Sequence, residues 1–165
     1  MKIILLDLGD TLEHNDALLP GALATLQALR RLKLPDGSPV PLGLISDFEM
    51  PVRPQDIPRL RAKYVRILKN LGIQRFFTPV GKHVTLSTEV GVFKPVAAIF
   101  RAAIDKISPA LDFSQVMFVT ENQTHVAAAN ALGMRGVHFQ GPGQTTGEIA
   151  ALADLVRLAT AFAAG

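Results

Sequence analysis

The sequence predicts an α/β fold in three layers: a parallel sheet of about five strands with helices on both faces. Three observations predict it. Short, almost wholly aliphatic runs, such as Ile3–Leu6, alternate along the chain with longer segments whose apolar residues recur at helical spacing. Those runs lack the apolar/polar alternation of a sheet with one wet face, so they read as strands buried on both sides, as parallel sheets require. The 165 residues, 48% hydrophobic and 19% charged, are enough for one packed domain, expected to span residues 1–165.

The elements follow in order. Lys2–Leu8 reads as a buried strand and Pro20–Leu32 as a helix with an Ala/Leu stripe. Val40–Ser46 is a second buried strand. Ile57, Leu60, Tyr64, Ile67, Leu68 and Leu71 share one face of a helix over Gln55–Leu71. A short strand falls at Val84–Leu86, and Pro95 suits the first turn of a helix running to about Lys106. Gln115–Thr120 is a strong strand, followed by a helix from Thr124 to Leu132 that Gly133 ends. Arg135–Phe139 is a last short strand and Gly147–Phe162 a closing helix. Such alternation gives a doubly wound, Rossmann-like sheet, in which ligands bind beyond the carboxyl ends of the strands. Asp7, Ser46 and Thr120–Glu121 fall at those ends.

Composition narrows the function. The chain has no Cys, which excludes disulfides and thiolate metal sites. The apolar run after Lys2 is too short for a signal peptide, and no run approaches the ~20 residues of a membrane span. A cytoplasmic protein without membrane contact is expected. A net charge of +3 attracts anions mildly and does not commit the chain to nucleic acid.

Asp7 is the most informative residue. A carboxylate at the end of a buried strand is costly unless it has partners or a task. Gly9 stands two positions later, where a second carboxylate could share that task, and the next acid is displaced to Asp10. Taken singly, Asp7 reads as a turn former, Ser46 as a cap and Lys94 as a surface lysine. Their order and spacing carry the functional reading.

Those residues resemble the motifs of the haloacid dehalogenase superfamily. Asp7-Leu8-Gly9-Asp10-Thr11-Leu12 is similar to its opening Asp-x-Asp-x-Thr at the first Asp and the Thr. Leu44-Ile45-Ser46-Asp47 resembles the second motif, and Gly91-Val92-Phe93-Lys94-Pro95 the third. Val116–Thr120, Glu121, Ala128-Ala129 and Gly133-Met134 follow the outline of the fourth. The resemblance covers nearly the whole chain in the family's order. It implies an Asp7 nucleophile that forms an acyl intermediate later cleaved by water. Ser46 is then expected to bond an oxygen of the transferring group, and Lys94 to neutralise charge where two anions meet. Phosphatases of the family add Mg²⁺. By resemblance its ligands are Asp7, the Gly9 backbone carbonyl and Glu121.

Two departures bear on catalysis. The family's phosphatases usually carry an acid/base Asp where this chain has Gly9; such a group contributes about 10²–10⁴ in rate. Asp10 can substitute only if the loop bends at Gly9, since side chains at i and i+3 of an extended segment point oppositely. His125 falls where a second acid is expected, and imidazole is a poor Mg²⁺ partner, which weakens the metal site. An alternative alignment sets Thr120-Glu121-Asn122 against the Ser-Ser-Asn of the metal-free dehalogenases.

The intervals Asp7–Ser46 and Ser46–Lys94 are consumed by the assigned elements, so a member without a cap domain is expected. An open site suits larger or macromolecular phosphoesters, or closure by a partner subunit such as a second copy of the chain; the expected substrate is a phosphorylated small molecule or a larger phosphoester. The loop Asp47–Pro58 reads as an ordinary connection, and Arg59, Lys63, Arg66 and Lys69 as a solvated basic helix face. His14, His83 and His138 show no partner pattern. The leading expectation is a Mg²⁺-dependent phosphomonoesterase; the alternatives are a binding protein that keeps the fold without turnover, and a C–halogen hydrolase.

Overall fold

A computed structural model describes residues 1–165. The elements are β1 (Ile3–Leu6), β2 (Glu13–His14), β3 (Ala17–Leu18), α1 (Ala22–Leu29), β4 (Leu42–Ser46), α2 (Ile57–Asn70), α3 (Val80–His83), β5 (Val84–Leu86), α4 (Ser87–Val90), α5 (Ala97–Ile107), β6 (Val116–Thr120), α6 (Gln123–Ala131), β7 (Arg135–His138) and α7 (Leu152–Ala164). Five strands form a parallel sheet in the order β5-β4-β1-β6-β7. The chain winds from β1 outward through β4 and β5, then returns to the other side of β1 for β6 and β7. The carboxyl end of β1 is therefore the switch point at which such sheets open a crevice.

Alternation along each strand divides the core. Ile4, Leu6, Leu42, Leu44, Met117 and Val119 face α1, α2 and α7. Ile3, Leu5, Ile45, Val116 and Phe118 face α5 and α6. Every residue of β1 is fully buried, which explains its unbroken aliphatic sequence. Gly43 is required by packing: a Cβ there would stand 2.7 Å from Leu5 Cδ2 and 3.0 Å from Ile107 Cδ1.

Several boundaries differ from the sequence reading. The first helix begins at Ala22, because Gly21 adopts a left-handed φ of 79°. The second begins at Ile57, behind a single 3₁₀ turn over Pro54–Asp56. Pro95 lies outside the helix it was expected to open; the Val96 N–H closes a turn on the Phe93 carbonyl, and α5 starts at Ala97. Residues 147–149 are not helical. Gln140 N–H bonds the Ile149 carbonyl at 2.8 Å and Glu148 N–H the His138 carbonyl at 2.7 Å, so this stretch lies beside the end of β7 and α7 starts at Leu152. The β2–β3 hairpin, α3 and α4 were not expected. The hairpin turns at Asn15 and Asp16, with φ of 51° and 62°, the paired positive values of a two-residue type I′ turn. No helix is long and apolar enough to cross a membrane.

Candidate active site

Asp7 follows β1 directly, and its N–H bonds the Val119 carbonyl of β6 at 2.9 Å, which fixes the residue between the sheet's two halves. Asp7, Gly9, Asp10, Ser46, Lys94 and Glu121, the residues singled out in the sequence, all line one open cleft of about 440 Å³. A larger groove of about 580 Å³ beside α2 has no carboxylate in its lining, and Arg61 there is paired with Glu89 at 3.1 Å.

The centre of the cleft is an ion pair. Lys94 Nζ lies 2.5 Å from Asp7 Oδ1, and both residues are buried. The lysine is steered there by the Asp47 carboxylate, which accepts the Lys94 N–H at 2.8 Å, and by the Ile45 carbonyl, 3.3 Å from Nζ. Asp7 Oδ1 also accepts the Leu8 N–H at 2.8 Å. A buried charge pair of this kind is tolerable because further hydrogen bonds satisfy it.

Thr120, at the end of β6, joins the two carboxylates. Its hydroxyl lies 2.9 Å from Asp7 Oδ2 and 3.1 Å from Glu121 Oε2, and accepts the Asn122 N–H. Having one hydrogen, it donates to one carboxylate at a time. Glu121 Oε2 also accepts the Thr11 hydroxyl at 2.8 Å, and Thr11 Oγ1 accepts the Glu121 N–H. Across the cleft Ser46 Oγ lies 2.5 Å from the hydroxyl of Tyr64, a fully buried phenol that burial pushes above its ordinary range. Phe48 packs edge-on against that ring, with centroids 5.1 Å apart.

The displaced acid takes a different course. The chain turns at Asp10 itself, with φ of 54°, rather than at Gly9. The Asp10 carboxylate is bound to His14 Nδ1 at 2.5 Å and is half exposed at the rim. Glu13 lines the same rim. Its Oε2 accepts the Asp16 N–H at 3.1 Å. Burial above all holds its carboxyl above the usual carboxylate range, with the Asp16 and Asp10 charges adding to the effect. His125 also lines the cleft, and its Nδ1 is buried without a hydrogen-bond partner. Burial, and next the Lys94 charge, hold this imidazole below its ordinary range. His138 bonds the Glu121 carbonyl at 3.0 Å and His83 the Leu42 carbonyl at 2.7 Å.

No group of three or more Asp, Glu or His side chains converges to enclose a metal. The available oxygens are those of Asp7 and Glu121, linked through Thr120, and the Gly9 carbonyl, which accepts no hydrogen bond within the protein. Mg²⁺ is usually held by one or two carboxylates and keeps several waters, so this donor set fits a hydrated Mg²⁺.

Five contributors were not foreseen. In the sequence Thr120 stands as a strand end and as the first residue of the Thr120-Glu121-Asn122 alignment, and Thr11 as a motif match, neither with a bonding role. Tyr64 was read as core, which it is; a hydroxyl on an apolar stripe that must find a partner was the available signal. Asp47 stands in the sequence only as the last residue of the second motif and the start of a loop, and Glu13 has no local signal.

Neither the family models nor the curated proteins compared with this chain gave a match. Solved structures did. A conserved haloacid dehalogenase-like protein of unknown function from Agrobacterium tumefaciens matches at TM-score 0.64 and 20% identity over 89% of this chain and 62% of its own. A Bacillus subtilis protein assigned to the HAD hydrolases and bound to magnesium matches at TM-score 0.64 and 14% identity, over 86% of this chain and 56% of its own. A HAD family hydrolase from Deinococcus radiodurans, with bound phosphate and sodium, matches at TM-score 0.61 and 17% identity, over 95% of this chain and 87% of its own. L-2-haloacid dehalogenases are also among the neighbours. The chain thus spans less than two thirds of the length of the first two of these. The chain shares the fold of these haloacid dehalogenase-like proteins.

Proposed function

We propose that the chain is a phosphomonoesterase working through an aspartyl-phosphate on Asp7. The observation that carries this reading is the buried Asp7–Lys94 pair, 2.5 Å apart, in a cleft shared with Ser46 and Glu121. One Asp7 oxygen attacks phosphorus while the ester oxygen departs. Lys94 lowers the repulsion between this carboxylate and the incoming dianion. The Ser46 hydroxyl, oriented by Tyr64, donates to a phosphoryl oxygen. Water then attacks phosphorus and releases phosphate, restoring Asp7. Asp7, Glu121 and the Gly9 carbonyl would hold Mg²⁺, which when bound supplies further neutralisation of phosphoryl charge. The absence of a cap is part of the proposal: the segment between β1 and β4 forms only the β2–β3 hairpin and α1, so the mouth is left open to phosphoesters of varied size.

The test is hydrolysis of p-nitrophenyl phosphate with and without Mg²⁺, for wild type and Asp7→Asn. Turnover that requires both the ion and Asp7 is expected. Metal-independent turnover removes the Mg²⁺ assignment. Failure to turn over a broad panel of phosphoesters supports the binding-only alternative, which Gly9 and His125 favour. Release of halide from haloacids instead supports the dehalogenase alternative.

A further inference from the structure

Phosphoester cleavage needs a group that gives a proton to the departing alkoxide and takes one from the attacking water. Apart from Asp7 and Glu13, the cleft's acidic side chains are Asp10, committed to His14, Asp47, committed to the Lys94 N–H, Glu121, committed to Thr11 and Thr120, and Asp16. Asp16 makes no side-chain hydrogen bond but stands at the turn of the hairpin with φ of 62°. Glu13 differs. One oxygen, Oε2, anchors the carboxyl on the Asp16 N–H, while Oε1 takes no hydrogen bond and faces Gly9.

The relation to Gly9 is geometric. The two residues are bridge partners across the turn that follows Asp7. Glu13 N–H bonds the Leu8 carbonyl at 3.1 Å, and its carbonyl accepts the Asp10 N–H at 2.7 Å. A Cβ built on Gly9 would meet one atom within 4 Å, Glu13 Oε1, at 3.9 Å. From standard bond lengths a carboxylate oxygen lies about 2.4 Å beyond its Cβ. A side chain at residue 9 would therefore enter the space that Glu13 Oε1 borders. Gly9 has no positive φ and no crowding, so the site admits an acid there and this chain has none. Glu13 makes no hydrogen bond to Asp7, to Glu121 or to Gly9.

We propose that Glu13 is the acid–base residue of this cleft, delivered by the β2–β3 hairpin to the place that position 9 leaves without a carboxyl. The proposal rests on the phosphomonoesterase reading. Protonated Glu13 gives its proton to the ester oxygen as the P–O bond breaks and the bond from Asp7 to phosphorus forms. The resulting Glu13 carboxylate then accepts a proton from water as the water oxygen bonds phosphorus and the Asp7–phosphorus bond breaks. Glu13 regains its proton and Asp7 its carboxylate.

The test compares wild type, Glu13→Gln and Gly9→Asp/Glu13→Gln on p-nitrophenyl phosphate and on glycerol 2-phosphate, in Mg²⁺. Gln keeps an oxygen for the Asp16 N–H, so the hairpin is retained, and a thermal melt checks this. The expected loss for Glu13→Gln on glycerol phosphate is about 10²–10⁴-fold in kcat. On p-nitrophenyl phosphate the variant gives a stoichiometric burst of nitrophenolate and then a slow phase, because nitrophenolate leaves without a proton while hydrolysis of the intermediate lacks its base. Adding Gly9→Asp restores turnover, an effect a structural role for Glu13 does not produce.

Glu13→Gln turnover within a factor of a few of wild type on both substrates overturns the proposal, as does a Glu13→Gln defect that Gly9→Asp leaves unchanged. A loss confined to Asp10→Asn or His125→Gln overturns it as well. Wild-type turnover insensitive to Asp7→Asn overturns the phosphomonoesterase reading itself, whereas Asp7-dependent turnover insensitive to Glu13→Gln overturns the Glu13 role alone.

Discussion

Lys94 Nζ stands 2.5 Å from Asp7 Oδ1, and the two side chains neutralise one another where neither is solvated. Removing one partner strands the other. Lys94→Met is expected to destabilise the fold by about 3–5 kcal/mol, since it leaves an uncompensated buried carboxylate. The double replacement Asp7→Leu with Lys94→Met should recover much of that loss, because no charge remains to desolvate. Guanidinium unfolding at pH 7 of both variants measures the difference; equal midpoints for single and double variants contradict it.

Thr120→Val tests the hydroxyl between the two carboxylates. Valine keeps the shape, removes the donor to Asp7 and Glu121, and leaves the Asn122 N–H without its acceptor. A stability loss of about 1–3 kcal/mol is expected. If Asp7 and Glu121 share an ion, the Mg²⁺ concentration for half-maximal activity should rise about 10–100-fold, as for other outer-shell changes. Metal titration of turnover reads this directly, and an unchanged midpoint separates Thr120 from metal binding.

Gly43→Ala places a methyl group 2.7 Å from Leu5 Cδ2, between β1 and α5. Overpacking of this kind costs about 1–3 kcal/mol. The strain reaches the strand that carries Asp7, so a drop in kcat alongside the lowered unfolding midpoint is expected. Stability equal to wild type would show that α5 moves away freely.

His83 provides a pH dependence independent of the cleft. Burial holds its imidazole below the ordinary value of 6.5, against the favourable bond to the Leu42 carbonyl. A folded-state value below the unfolded one means that the unfolded chain binds the proton more readily. The neutral ring's contribution is thus present above about pH 6.5 and is lost as pH falls through the lower folded value. Urea midpoints should fall between pH 7.5 and 5.5, and His83→Asn, which keeps an N–H for Leu42, should shrink that fall. An identical pH slope in the variant rules His83 out as its source.

Much of the architecture was legible because strand burial leaves a local trace. Ile3–Leu6 is aliphatic on every residue because both faces are covered, and Leu60, Tyr64 and Leu68 recur on one side of α2 for the same reason. Boundaries were less legible where backbone closure decided them. Pro95 suits a first helical turn, yet the bond from Val96 to Phe93 closes a turn before the helix begins. Residues 147–149 looked helical in composition, and their pairing beside β7 took precedence.

By itself, the sequence determined the layer order, the parallel sheet and the placement of Asp7, Ser46, Lys94 and Glu121 at strand ends or adjoining loops. These follow from hydrophobic period and spacing, which are local properties. Only the tertiary structure decided what each side chain bonds. Thr120 meets Asp7 across 113 positions of chain and Thr11 meets Glu121 across 110. Ser46 is bound to a phenol from α2, Asp10 is drawn to His14, and Glu13 is turned toward Gly9 by a hairpin of two-residue strands. Hydrogen bonding requires a separation of about 3 Å and a defined direction. Residues so far apart in sequence meet those terms only after the crossovers have closed the sheet.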